Sequence, residues 1–284
     1  MRFKYFIIPF LFFILSTPIS PINIRHDVKH KAYIKYAKLK HFKPGLIITR
    51  PNVKISGSGV LIHKNYIVTA GHIVSSHGPA NMTVLYNRVK YIIDYVYLFP
   101  GYNLKQRKKL GNDVAILRIK GKGIKQINPA VISKIKITKG TIIYGVGQGK
   151  SSTGVEKREI LSHGTFRGYQ NIVDYISKFR FNMFVTDFDD PCGKGNSLNK
   201  ILYFNKKRIN CNSCSKPLPL EGSLAKGDSG SGVWIKLHGK YYLVGIASGR
   251  YYSRYSAQSI YINLTNNYVR AWILTIIPNL KLSD

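Results

Sequence analysis

From Gly45 onward, apolar and polar positions alternate in short runs punctuated by Gly, Asn and Pro. Leu46–Ile48, Gly59–Ile62, Tyr66–Ala70, Met82–Tyr86, Val114–Ile119 and Ile142–Val146 each have the length and residue types of a strand. A second series follows at Gly164–Tyr169, Asn182–Asp187, Gly232–Leu237, Tyr241–Ala247 and Ser259–Ile262. Many short strands at this spacing predict an all-β fold, a sandwich or a pair of barrels, and not alternating βαβ units. The last segment has another period. Val269, Trp272, Ile273 and Ile276 share one face of a helix that Thr265 is positioned to cap, with Leu264 set to pack on Val269. Between Asp187 and Gly222 the periodicity fades into a stretch containing Gly, Asn, Lys and Cys, which reads as a long surface loop.

Two segments precede the strands. Residues 24–44 are mixed and Lys-rich and read as a lead-in strap with a short helix. Before them, Arg2 and Lys4 lead into the apolar run Phe6–Leu15, followed by Ser16-Thr17-Pro18-Ile19-Ser20. A basic start, a short apolar core and then small residues is the layout of a secretory signal, here ending near residue 23. A helix of about ten residues rises about 15 Å, half of the roughly 30 Å membrane core. An uncleaved anchor is the competing reading, because no A-x-A cleavage site is visible. The expected location is secreted or periplasmic.

Charge changes the picture of partners more than of fold. The 284 residues carry 44 Lys+Arg against 12 Asp+Glu, a formal net charge of +32. Such a surface concentrates and steers anionic partners: membrane surfaces, acidic glycans, acidic substrates or nucleic acid. The basic residues are scattered instead of gathered in one tract, which argues for compositional bias and against specific nucleic-acid recognition. Export permits disulfides, yet the cysteines are three: Cys192, Cys211 and Cys214. Cys211 and Cys214 form a C-x-x-C without a second pair to complete a structural metal site. A single disulfide from Cys192 to Cys211 or Cys214 is expected, with neither metal nor cofactor.

Three segments carry chemistry when taken together. Tyr66-Ile67-Val68-Thr69-Ala70-Gly71-His72 is an apolar strand delivering an imidazole after small residues. Asn112-Asp113-Val114-Ala115-Ile116-Leu117 puts a carboxylate at the mouth of another apolar strand, and Lys226-Gly227-Asp228-Ser229-Gly230-Ser231-Gly232 is a glycine-rich turn exposing one hydroxyl. A serine hydroxyl is a poor nucleophile until an imidazole takes its proton. The imidazole in turn needs a carboxylate to fix its tautomer. The developing oxyanion needs fixed N–H donors, which Gly227 and Ser229 are positioned to supply.

The order His…Asp…Ser in these surroundings resembles the trypsin/chymotrypsin-like serine peptidases over about Gly57 to Ile276, with a texture closest to bacterial secreted members. Gly57-Ser58-Gly59-Val60-Leu61-Ile62 is similar to the strand before the family's His, Tyr144-Gly145-Val146-Gly147 to the strand opening its second barrel, and Leu243–Gly249 to the strand beside the substrate backbone. The resemblance implies two six-stranded antiparallel barrels, about 45–149 and about 150–263, meeting at a cleft. A helix at 265–276 and a tail at 277–284 complete the expected 45–276 domain. It implies His72, Asp113 and Ser229 as a catalytic triad, and a secreted endopeptidase acting on protein or peptide substrates, taken as a monomer. The alternative is a catalytically idle relative that binds anionic polymers or membranes through its basic surface.

The departures from the family are specific. Ile73 and Ala225 stand where cysteines are usual, and no Arg-Ile-Val-Gly-Gly activation signal is present. Asp228, the family's acceptor for a freshly cut N-terminus, therefore needs another partner. One candidate is an amine at Ile24 created by signal removal; the other is a polar or basic side chain from the strap or long loop. By resemblance Ser223 floors the primary specificity pocket, with Ser248, Gly249, Arg250 and Ser259 as walls. A serine floor offers a buried cation no charge, which makes cleavage after Lys or Arg unexpected and leaves small, apolar and acidic residues open.

Overall fold

The computed structural model describes residues 22–50, 53–74, 82–102, 111–156, 165–177, 182–193, 202–204, 207–209, 216–251 and 254–283. The expected signal segment before residue 22 lies outside these residues, as do Cys211 and Cys214; Cys192 is described and exposed.

The chain runs β1 (Asn23–Ile24), α1 (His30–Ala37), β2 (Gly45–Arg50), β3 (Val53–His63), β4 (Tyr66–Thr69), α2 (Gly71–Val74), β5 (Thr83–Tyr86), β6 (Val89–Leu98) and β7 (Ala115–Ile119). It continues with β8 (Ile142–Gly147), β9 (Arg167–Ile172), β10 (Tyr175–Ile176), β11 (Met183–Thr186), β12 (Leu202–Phe204), β13 (Lys207–Ile209) and β14 (Gly222–Ser223). The last elements are β15 (Gly232–Leu237), β16 (Lys240–Tyr251), β17 (Gln258–Asn263) and α3 (Asn267–Ile276).

Strands β2 to β7 close into an antiparallel barrel in the order β2-β3-β4-β7-β6-β5. The second unit is a seven-stranded antiparallel half-barrel sheet in the order β10-β11-β17-β16-β15-β8-β9. It takes the place of the second barrel, with seven strands among the described residues.

Burial explains why the two strands that lead to His72 and Asp113 read as nearly continuous apolar runs. Side chains alternate across a strand. In β4, Ile67 enters the barrel core with Leu46, Leu61 and Leu117, while Val68 joins a second cluster with Trp234, Leu243 and Ile273. In β7, Ala115 and Leu117 point into the barrel and Ile116 points out to the same second cluster. Both faces are dry because that cluster is the seam between the two units, closed by α3 through Val269 and Ile273. A third core, with Tyr169, Phe184, Val244 and Tyr261, fills the half-barrel.

The strap is built into the second unit. Asn23 pairs with Ser223 and Ile24 with Gly222. The Tyr33 hydroxyl donates to the Glu221 carbonyl at 2.8 Å. A Cβ on Gly168 would lie 2.8 Å from the Tyr36 ring and 2.9 Å from the Ala37 nitrogen, so glycine there lets α1 lie against β9. The helix α3 is capped by Asn266, whose side chain accepts from the Tyr268 N–H at 2.8 Å, and not by Thr265, whose hydroxyl donates to Asn263 at 2.7 Å. Leu264 and Val269 are both fully buried, in one cluster.

Candidate active site

Strand β4 ends at Thr69, and the turn α2 then presents His72 at the seam. Gly71 keeps this turn thin: a Cβ there would meet the Tyr102 ring at 3.2 Å and Asp113 Oδ1 at 3.3 Å. Asp113, just before β7, grips the turn with both oxygens. Oδ1 accepts the His72 backbone N–H at 2.7 Å and Oδ2 lies 2.8 Å from His72 Nδ1. Oδ2 also accepts from the Ser248 hydroxyl at 2.5 Å. The carboxylate is nearly buried and the imidazole a third exposed, so the ring has one face toward the cleft.

Ser229 comes from the other unit, on the turn between β14 and β15. Its carbonyl accepts the Ser58 N–H at 2.8 Å, and the Gly230 N–H donates to the Ala247 carbonyl at 2.7 Å. The turn is thus bonded both to β3 of the barrel and to β16. Gly230 has φ of +81°, and a Cβ on it would overlap the Ser58 carbonyl at 2.0 Å and the Thr69 hydroxyl at 2.4 Å. Only glycine combines that conformation with that contact. Ile73, where a disulfide cysteine is usual in the resembled family, packs with its Cδ1 2.4 Å from the position of a Gly57 Cβ and 3.0 Å from that of Gly230. Apolar contact across the seam stands in that place.

The turn preceding Ser229 has Gly227 at φ +102°. Among the described residues the N–H groups of Gly227 and Ser229 donate to no protein acceptor, whereas those of Ala225, Asp228, Gly230 and Ser231 all do. Gly149 supports this loop from below: a Cβ there would lie 2.3 Å from the Lys226 carbonyl oxygen and 2.8 Å from the Asp228 nitrogen.

Asp228 is fully buried. It accepts the N–H groups of Gly149 and Ala225, each at 2.8 Å, and of Ile22 at 3.2 Å. Burial pushes its carboxyl above the usual range, opposed by these donors. Among the described residues, the N-terminal segment reaches Asp228 through Ile22 and not through Ile24. Ile24 is two residues too far along, and its N–H is committed to the Ser152 carbonyl at 3.0 Å. Ile22 is itself fully buried and holds φ of +59°, an uncommon conformation for a β-branched residue.

The expected pocket residues divide into two groups. Ser223 and Ser259 are fully buried behind the cleft. The Ser223 hydroxyl accepts from Asn23 Nδ2 at 3.1 Å, and the Ser259 hydroxyl accepts the Leu224 N–H at 3.0 Å. Asn23 is anchored in turn by the Ser152 hydroxyl at 2.9 Å. Ser248 is turned toward Asp113. Gly249 and Arg250 remain at the cleft, where they share with residues 224–227 and Ser229 a pocket of about 210 Å³. Sequence reasoning missed Lys226 on this pocket, Gly149 beneath the loop and Ile22 at Asp228. The Ile22-Asn23-Ile24 alternation held the only signal for the last.

The protein-family model described as Trypsin matches residues 45–197, which takes in β2 to β11 with His72 and Asp113 and stops before the Ser229 turn. No curated protein matches the chain. With more than half its length under that model, and with a closed six-stranded barrel joined to a half-barrel sheet across a packed apolar seam, the chain belongs to the trypsin family.

Proposed function

We propose that this protein is an exported serine endopeptidase in which Ser229 is the nucleophile, His72 the general base and acid, and Asp113 the residue that orients His72. The observation that carries the reading is the Asp113 carboxylate, held by the His72 amide, the His72 ring and the Ser248 hydroxyl at 2.7, 2.8 and 2.5 Å. A carboxylate fixed on Nδ1 selects the tautomer with its proton there and leaves the Nε2 lone pair for the serine proton.

The reaction follows from these positions. As the Ser229 oxygen bonds to the scissile carbonyl carbon, its proton passes to His72 Nε2, and the carbonyl oxygen takes up negative charge. The Gly227 and Ser229 N–H groups are the donors for that oxyanion. Collapse breaks the C–N bond, and the imidazolium returns its proton to the departing amine. Water, deprotonated by the same imidazole, then hydrolyses the acyl-serine ester.

Activation is part of this reading. A cut before Ile22 turns its amide into an ammonium 3.2 Å from a buried carboxylate. It also removes the preceding carbonyl that makes the φ of +59° costly. A buried aspartate beside the nucleophile gains a charge partner, and the loop bearing Gly227 is fixed by it. Signal removal at this bond is the simplest source of the cut.

The basic surface supports a second reading, an idle family member that holds anionic polymers. The test is hydrolysis of denatured casein by the protein beginning at Ile22, beside Ser229→Ala. The peptidase reading predicts hydrolysis lost in the variant. Equal hydrolysis by both, or none by either, removes it.

A further inference from the structure

A hollow of about 830 Å³ opens where α1, β2, the β5–β6 hairpin and the residues around Val146 and Phe166 converge. It shares no lining residue with the pocket beside Ser229. Phe42 and Val146, the buried side chains of its lining, belong to the seam core, so the hollow reaches down to apolar packing. Ile34 and Ala37 of α1, Ile47 of β2, Leu85 and Tyr86 of β5, and Phe166 form its walls, and all are only half-buried. A Cβ on Gly45 would crowd the Phe42 carbonyl oxygen at 3.1 Å and Val146 at 3.7 Å, so glycine keeps the base open. An apolar occupant would take these walls out of water, a gain that scales with the area covered.

The rim of this apolar hollow is cationic. Lys38 comes from the C-cap of α1, Lys43 from the end of the 3-10 turn Lys40–Phe42, and Arg88 from the tip of the β5–β6 hairpin. All three line the hollow and are exposed. No carboxylate lines it among the described residues, and the ion pairs among those residues, Arg25–Asp27, His72–Asp113 and Arg118–Asp94, involve none of the three. Arg88 is held in a strained place. It takes the second position of a two-residue hairpin turn at φ +66°, after Asn87 at +46°. Such turns favour Asn followed by Gly, since both positions are left-handed. Arginine there accepts strain that glycine would avoid, and brings a guanidinium to the rim.

An occupant has to match apolar walls and a cationic rim. Every strand that lines the hollow is paired on both edges: β2 by β3 and β5, β5 by β2 and β6, β8 by β15 and β9. An extended peptide would therefore find no strand edge to accept its N–H groups. The chain's own apolar run Phe6–Leu15 follows Arg2 and Lys4, and a second copy carries +32, so both bring like charge. A single-chain anionic amphiphile needs only an apolar wall for its tail and donors for its head. Lysine and arginine bind carboxylates through charge-assisted bonds, which are the strong ones. We propose that this hollow binds a free long-chain fatty acid, with its tail on Phe42 and Val146 and its carboxylate among Lys38, Lys43 and Arg88. The site stands apart from the peptidase reading and does not depend on it.

The test is calorimetric titration of the full chain with monomeric dodecanoate at neutral pH. Beside it run dodecyltrimethylammonium with the same tail and opposite head, acetate as the head alone, vesicles of phosphatidylglycerol, and an acidic peptide of alternating Glu and Phe. Dodecanoate should bind at one site per chain, and neither the cationic surfactant nor acetate should displace it. Lys38→Glu/Lys43→Glu/Arg88→Glu should weaken binding by about 10- to 100-fold. Ala37→Trp, which fills the hollow, should weaken it by about 10-fold or more. Melting temperatures identify a variant that has not folded, and the charge variant, altered only at exposed positions, keeps the test decisive if Ala37→Trp fails to fold. Equal binding by the charge-reversed protein overturns the proposal, as does equal affinity for the cationic surfactant. Vesicles or the acidic peptide bound at these residues while dodecanoate is not would overturn it in favour of a membrane or a protein partner. So would dodecanoate binding that appears only in Glu159→Gln, whose carboxylate lies outside the described residues.

Discussion

The Ser248 hydroxyl reaches the same Asp113 oxygen that faces His72 Nδ1, at 2.5 and 2.8 Å respectively. A hydrogen bond to a charged group contributes about 1.5–3 kcal/mol. Ser248→Ala should therefore lower kcat by roughly 10- to 100-fold with little change in KM, since the hydroxyl steadies a carboxylate and touches no substrate. A purely structural serine would instead lower the melting temperature and spare kcat. Glycine positions make a second test. Gly230→Ala would force a Cβ to 2.0 Å from the Ser58 carbonyl at a φ of +81°, displacing the Ser229 turn from β3. A strain of 1–2 kcal/mol is the minimum for a side chain in that conformation, so kcat/KM should drop by about 10-fold or more. Unchanged turnover in that variant would mean the turn is not held as described.

At the scale of elements, β1 is two residues long, yet with the residue before it bears on both Ser223 and the nucleophile loop, through Asn23 on Ser223 and Ile22 on Asp228. Protein beginning at Ile22 should be active. Protein beginning at Ile24, which leaves Asp228 buried without that partner, should lose on the order of 100-fold or more in kcat/KM. Equal activity from the two N-termini would contradict the role given to Ile22. Much of this architecture was legible in the chain. The strands at Tyr66–Thr69 and Ala115–Ile119 stood out because both their faces are buried, and the three chemistry-bearing motifs sit at strand ends where turns expose side chains. Strand β6 escaped notice because its outward positions, Val89, Ile92 and Tyr95, are exposed apolar residues, so inside and outside could not be told apart. Strands β1 and β14 are too short for any period and exist only by pairing across 200 residues of chain. Counting back from Ser229 could likewise not reveal that Asn23 would bond the Ser223 hydroxyl.

At the scale of the molecule, a chain of net charge +32 buries four of its few carboxyl groups together: Asp174, Asp187, Asp189 and Glu221. Burial, with the neighbouring carboxylates, pushes Asp189 up to about 9 and Glu221 up to about 8, and raises Asp174 as well. The Asp189 and Leu218 N–H groups, each at 2.7 Å, favour the charged form of Glu221 and oppose that rise. In the unfolded chain such groups titrate near 4, so the folded protein holds their protons as pH rises from there. That contribution to stability is complete below about pH 4 and is lost on rising through about pH 8 to 9. His41, lowered by burial to about 4, acts in the opposite sense, but only below about pH 6.5. The melting temperature should therefore fall between pH 7 and pH 9, and less steeply in Asp189→Asn; parallel pH profiles would refute this assignment. On the proposed peptidase reading, the barrel, the half-barrel and the packed seam between them serve to bring the Ser229 hydroxyl to the His72 imidazole. The most direct measurement of that claim is the mass and site of the adduct formed by a phenylmethyl sulfonyl fluoride with the protein beginning at Ile22. We predict a single adduct on Ser229, absent in Ser229→Ala and slowed by orders of magnitude in His72→Ala. No adduct, or one that forms on Ser229 at the same rate without His72, would contradict it.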